Sequence, residues 1–260
     1  MRRLAPLLVA LAVAACSGGD GDGSSGADRP HPGDSFQWQL SDLPVDTSVD
    51  ADVYDVDLFE TPAETVDELH DDGRVVICYL SAGSYEPGRP DSDEFPDEVL
   101  GEPLEGFEDE RWLDIRAIDA LAPIIETRLD LCAEKGFDGV EFDNVDGFVN
   151  ETGFDLTADD QVAFNEWLAS EARERGLSPG LKNALDLAPD LVDDFDWLLV
   201  EECVQFEECD LVEPFVAAEK AVFVVEYESS IDDVCAGVPD GVTALLADIS
   251  LDGPSETCPP

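Results

Sequence analysis

Hydrophobic and polar positions along the chain fall into two alternating patterns. Runs rich in β-branched and aromatic residues, bounded by Gly, Pro or acids, read as strands: 51–59, 74–83, 112–116, 139–144, 179–185, 197–203, 221–227 and 242–250. Between them lie helical segments such as 117–135 and 157–175, the latter opening with Thr157 as N-cap and Asp160 three residues on. Strands alternating with helices predict a parallel sheet, and eight repeats in 260 residues fit closure into a single (β/α)8 TIM barrel, an α/β fold. An open doubly wound sheet is the alternative, but no Gly-rich phosphate-binding fingerprint follows the first strand. Residues 84–111, rich in Pro, Gly and acids, read as an extended loop after the second strand.

The first residues break this pattern. Two arginines, an apolar run too short to span a bilayer and small residues before Cys16 give residues 1–15 the layout of a secretory signal. Val13-Ala14-Ala15-Cys16 resembles a lipobox, which would make Cys16 the lipidated first residue of the mature protein and anchor it to a membrane outside the cytoplasm. Residues 16–35, dominated by Gly, Ser and Asp, read as a flexible tether and residues 36–260 as the folded domain.

Charge narrows the partners. With 63 acidic against 13 basic residues and a net charge of -50, the surface repels itself in dilute salt, and that penalty fades near 1 M, where the screening length is about 3 Å. The composition suits a solvated surface in a saline medium. It excludes a nucleic-acid partner, which would need basic patches. Besides Cys16 there are six cysteines, an even number that in an exported chain favours disulfides; of the 15 possible pairings, Cys203 with Cys209 and Cys235 with Cys258 are the candidates that close local loops. The two histidines, His31 and His70, lack ligand spacing to these cysteines, so neither metal nor cofactor is expected. A monomer is expected.

Candidate chemistry sits at the strand ends. In a parallel barrel the C-terminal ends of the strands form the mouth where sites are built. There the sequence puts Asp57, Tyr79 with Ser81, Asp114, Asp143 with Asn144, Lys182 with Asn183, Glu201 and Glu226. Period-two alternation gives Glu141 and Asp143 one face, and Leu199 and Glu201 another. Lys182 stands among apolar residues in GLKNAL, and a buried ammonium needs an anion; Asp143 or Asp57 would supply it and be held ionised in return.

The motifs CYLSAGSYEPGRPD, WLDIR, GFDGVEFDNVDGF, GLKN, EECVQFEEC and VVEY, spread from Phe36 to Tyr227, resemble glycoside hydrolase family 114. That resemblance implies a TIM-barrel endo-α-1,4-polygalactosaminidase acting on a galactosamine polysaccharide. It puts the catalytic aspartate at Asp143 and the catalytic glutamate at Glu201. The latter departs from the family's Asn-Glu-Gln-Cys context, reading Val200-Glu201-Glu202-Cys203, and Gly88 stands where an aromatic is frequent. Two carboxyl groups flanking the bond are what glycoside hydrolysis needs, one to attack and one to move the proton. On this reading Asp143 is the nucleophile and Glu201 the acid and base, with Glu226 in reserve, while Asp57, Tyr79, Arg89, Asp114, Asn144, Lys182 and Glu226 bind the sugar. A catalytically silent amino-sugar-binding barrel is the competing reading.

Overall fold

The computed structural model describes residues 29–259. The signal segment, Cys16 and the tether as far as residue 28 lie outside them. Eight parallel strands form a curled sheet: β1 (Phe36–Gln39), β2 (Val53–Asp57), β3 (Val75–Ser81), β4 (Gly139–Asp143), β5 (Ser178–Lys182), β6 (Trp197–Glu201), β7 (Ala221–Glu226) and β8 (Thr243–Leu246). Each pairs with the next in chain order, and a two-residue strand, Glu256–Thr257, runs antiparallel to β8. Helices α1 (Ala63–Asp71), α2 (Ile118–Lys135), α3 (Ala158–Glu174), α4 (Ala188–Leu191), α5 (Glu213–Ala217) and α6 (Ile231–Gly237) fill the crossovers from β2 onward. At the start of α3, Thr157 and Asp160 form the reciprocal capping box that their spacing foreshadows.

Strand parity divides the apolar residues into two bodies. Val53, Ile77, Trp197, Leu199, Phe223, Val225 and Leu245 cluster within the ring of strands with Phe36 and Trp38. Their neighbours Tyr54, Val56, Val76, Cys78, Val140, Phe142, Leu198, Val222 and Val224 share the larger body with helix residues such as Leu129 and Phe164. Gly180 makes room for the inner packing, since a Cβ there would lie 2.2 Å from the Trp197 ring. No backbone ladder joins β1 to β8 among the described strands. Instead Phe36 stacks on Phe223 at 4.2 Å, the Leu40 and Ser41 N–H groups donate to the Leu251 carbonyl, and Thr243 Oγ1 donates to the Asp34 carbonyl.

Two strand assignments change. WLDIR is not a barrel stave: Trp112 and Leu113 end the strand Phe107–Leu113 of a small antiparallel sheet with Ser84–Tyr85 and Leu100–Leu104. This sheet occupies what reads in sequence as a loop, and buried Arg128 of α2 pins the segment by pairing with Asp91 while donating to the Ser81 carbonyl. The eighth stave is β1, FQWQ, whose Phe36 and Trp38 face inward while Gln37 donates to the Gly253 carbonyl. The end of the tether is also fixed, because Ser35 exchanges hydrogen bonds with Asp52. Disulfides join Cys203 to Cys209 and Cys235 to Cys258, the two local candidates, and Cys78 of β3 to Cys132 of α2.

Candidate active site

Adjacent strands β4, β5 and β6 each end on an inward polar side chain, and these meet. Lys182 Nζ, on a side chain only 2% exposed, lies 2.9 Å from Asp143 Oδ1, 3.0 Å from Glu201 Oε2 and 3.2 Å from Glu141 Oε1. It also sits 4.8 Å from the centroid of the Trp38 ring. An ammonium removed from water is tolerated there because three carboxylates surround it. Its partner among the sequence alternatives is Asp143, not Asp57. Asp143 and Glu201 remain 20% and 26% exposed and reach the cavity, Lys182 touches its floor while almost wholly buried, and Glu141 lies beneath them.

Each of the two outer carboxylates has its own supports. Tyr79 donates to Asp143 Oδ2 at 2.9 Å, and the N–H groups of Ala82 and Gly83 donate to the Asp143 carbonyl. Gly83 is needed for that approach, since a Cβ there would overlap the Asn144 carbonyl oxygen at 1.6 Å. Burial would raise the pKa of Asp143, but the Lys182 charge and the hydrogen bonds from Lys182 and Tyr79 outweigh it and hold the carboxyl below the usual carboxylate range. Around Glu201, Asn183 Nδ2 donates to Oε2 at 3.2 Å while the Glu201 N–H donates to Asn183 Oδ1 at 2.9 Å. The Tyr227 hydroxyl meets Oε1. Glu202 instead takes a hydrogen bond from Gln205, so it is Glu201 that faces Lys182.

Immediately after each of these strand-end residues the backbone turns left-handed: Asn144 has φ 61°, Asn183 φ 49° and Glu202 φ 57°. Asparagine tolerates that region, while a glutamate there is strained by about 1–3 kcal/mol. The repeated construction swings the chain away from the mouth directly beyond each functional side chain.

The mouth opens into a cavity of about 900 Å³ lined by Trp38, Tyr79, Trp112, Asp143, Asn144, Asp146, Lys182, Asn183, Glu201 and Tyr227 among others. Phe107, Val149, Phe206 and Ile249, which are 61–70% exposed, stand on its lining as well. Asp146 reaches the same space, and burial, joined by repulsion from Asp143, pushes its carboxyl up to about 6.

Of the remaining sequence candidates, Asn144 donates to Ser81 and stays at the mouth. Asp57 is buried and pairs with Arg89 at 2.7 Å, and Arg89 also holds Glu86; Arg89 and Glu86 line a side cleft of about 400 Å³ that shares Phe107 with the main cavity, while Asp57 lines neither. Asp114 does not reach the mouth: it ends no barrel strand and pairs with Arg116 at 2.7 Å. Glu226 points the other way, with the parity of Val222 and Val224, and accepts the Val204 N–H at 2.7 Å. Tyr227, one residue on, carries the inward parity of Phe223 and Val225. That alternation could have identified it, as it could have identified Asp55 from Val53. Asn183, read beside Lys182 at its strand end, is at the mouth as expected, whereas Asp146 gave no comparable signal.

Residues 21–260 match the sequence profile of glycoside-hydrolase family GH114. The fold is similar to Ega3 of Aspergillus fumigatus, whose structure was determined in complex with galactosamine, at 37% identity and a TM-score of 0.84, covering 92% of this chain and 100% of that one. It also resembles the glycoside hydrolase domain of PelA from Pseudomonas aeruginosa at 15% identity and a TM-score of 0.68, covering 86% and 98%, which is a likeness of fold. No curated protein matches the chain at a significant level.

Proposed function

The chain belongs to glycoside-hydrolase family GH114, and from that premise we propose that it cleaves α-1,4-linked galactosamine within a polysaccharide, Asp143 attacking and Glu201 moving the proton. One observation carries the assignment: both carboxylates rest on the same buried ammonium. The oxygens that share Lys182 Nζ can be no more than about 6 Å apart, which supports retention of configuration, for which the carboxyl groups stand about 5–5.5 Å apart rather than about 6.5–9.5 Å.

In the first step an Asp143 oxygen bonds to the anomeric carbon as the bond to the leaving oxygen breaks, and Glu201 gives that oxygen its proton. In the second, Glu201 takes a proton from water, the water oxygen bonds to the anomeric carbon and Asp143 leaves. Lys182 and Tyr79 keep Asp143 ionised for attack. The Tyr227 hydroxyl can donate to the ionised Glu201 carboxylate or accept from the protonated acid, so both states of the cycle keep a partner.

The amino sugar suits the chemistry of the cavity. Asp146, Glu105, Glu151 and Glu202 line it, so ammonium groups at carbon two meet carboxylates, and the exposed Phe107, Phe206, Val149 and Ile249 offer apolar faces to sugar rings. Tyr79 and Asn144 are the binding groups beside the reacting bond, with Arg89, held by buried Asp57, shaping the side cleft. The likeness to Ega3, a protein determined with galactosamine, supports this choice of substrate. The three disulfides fit an oxidising compartment, and with the signal-like residues 1–15 they support an extracytoplasmic protein; we read it as a monomer anchored through a lipid on Cys16, its acidic surface suited to high salt. The test is mass spectrometry of polygalactosamine digested in high salt: wild type yields oligosaccharides and Asp143→Asn does not. A wild type that binds the polymer without shortening it would leave the silent-barrel reading in its place.

A further inference from the structure

Beneath Lys182 the barrel holds two more carboxyls that the proposed reaction leaves unused. Asp55 of β2 and Glu141 of β4 are both 0% exposed and face inward by parity with Val53 and Asp143. Their carboxyl groups lie within hydrogen-bonding reach of each other. No described N–H or O–H donor forms a hydrogen bond to any of their four oxygens. The positive charge beside them is Lys182 Nζ, which reaches Glu141 but is already shared with Asp143 and Glu201.

Two ionised carboxylates in contact, without donors and out of water, repel strongly; a proton held between them turns the contact into a hydrogen bond. Glu141 touches the ammonium, so it keeps the negative charge, and the proton belongs on Asp55. We propose that Asp55 and Glu141 are a proton-sharing pair, Asp55 donating to Glu141, that positions Lys182 by fixing its innermost anion. The groups around the pair are Tyr79 from β3, Asp143 from β4, Lys182 from β5, Glu201 from β6 and Tyr227 beyond β7. Burial raises both carboxyls, the charge of Glu141 raises Asp55 further, and Lys182 pulls Glu141 back down. With the Asp55 proton in place, one fewer negative charge competes for the ammonium.

The proposal rests on the reaction assigned above only for its kinetic arm; its spectroscopic arm needs no substrate. Infrared difference spectra of wild type minus Asp55→Asn should show the carbonyl stretch of a protonated carboxylic acid at pH 7. Its absence overturns the proposal. In the pH dependence of kcat/KM, Asp55→Ala leaves Glu141 without its donor, so the ammonium is drawn inward: kcat falls about ten- to a hundredfold and the acid limb moves up by about one pH unit. Asp55→Asn, whose amide can donate but not titrate, should restore most of that loss. Glu141→Gln should move the acid limb the opposite way, because Asp143 then gains a larger share of Lys182. An acid limb that moves down in Asp55→Ala, or no rescue by Asn in a variant whose melting temperature shows it folded, would overturn the positioning role.

Discussion

Replacing Lys182 by Met keeps an unbranched stem and removes the charge on which Asp143, Glu201 and Glu141 converge. At a separation near 3 Å and an effective dielectric of about 20, each ammonium–carboxylate contact is worth roughly 5 kcal/mol before desolvation. Removing one partner of a buried pair costs about 3–5 kcal/mol net, and the carboxylates left behind relieve it by taking up protons. At the lower bound this corresponds to about two pH units, at 1.36 kcal/mol per unit. On the proposed mechanism Asp143 must be ionised to attack, so the acid limb of kcat/KM should move up by about two units; activity on the acid side of the wild-type limb should fall about a hundredfold, and the loss should shrink to a few-fold or less by pH 6. Stability follows the same linkage. The lowered Asp143 contributes stability that is present above the ordinary carboxylate range and lost as pH falls through its depressed value. The raised Lys182 contributes stability that is present below the ordinary lysine range and lost as pH climbs through its elevated value. The melting-temperature advantage of wild type over Lys182→Met should therefore be widest between those limits. Measuring kcat/KM on galactosamine oligosaccharides from acid to alkaline pH, with thermal melts alongside, tests both arms. A variant whose acid limb stays where the wild type's is would refute the account of Asp143.

Four further outcomes follow from the same contacts. Glu201→Gln should lose at least about a thousandfold in kcat toward a substrate with a poor leaving group but far less toward an activated aryl glycoside, read by steady-state kinetics, because only the former needs the proton. Glu226→Ala should cost about 1–3 kcal/mol of stability by orphaning the Val204 N–H, measured by chemical denaturation, while kcat changes by less than tenfold. Replacing Cys203 and Cys209 by Ser opens a loop of short sequence separation, 6, that carries Phe206 on the cavity lining; it should cost about 2 kcal/mol and raise KM more than it lowers kcat. Melting temperature should rise with sodium chloride to at least about 1 M, where the Debye length is near 3 Å, and a flat salt profile would contradict the self-repulsion expected from the net charge of -50.

Much of the site is legible in sequence because strand alternation is strict. Once 139–144, 179–185 and 197–203 are read as consecutive parallel strands, Asp143, Lys182 and Glu201 must project at one end of the ring, and they do. Glu226 shows how narrow that inference is, since a single step of parity sends it into the outer packing and gives its place to Tyr227. WLDIR has the composition of a stave, but its use is decided by long-range pairing: Trp112 lies opposite Ser84 in the small sheet. FQWQ escapes notice because it is four residues long and half glutamine; its glutamines find carbonyl partners such as Gly253 and Ser41 that no local pattern announces. Asp146 follows a strand end in a turn whose direction depends on left-handed backbone at the single residue Asn144. Propensity alone does not reveal where such turns lead.

The seam between β1 and β8 bears on how the molecule is made. Gln37 finds the Gly253 carbonyl across 216 positions of sequence, and Ser41 finds Ser250 across 209. A ribosome delivers the first stave long before the residues that hold its free edge exist. Trp38, which underlies Lys182, rides on that stave. Closure of the ring around the reaction centre therefore waits for residues near 250. Ending translation before them should release a chain that has most of its helices and no activity.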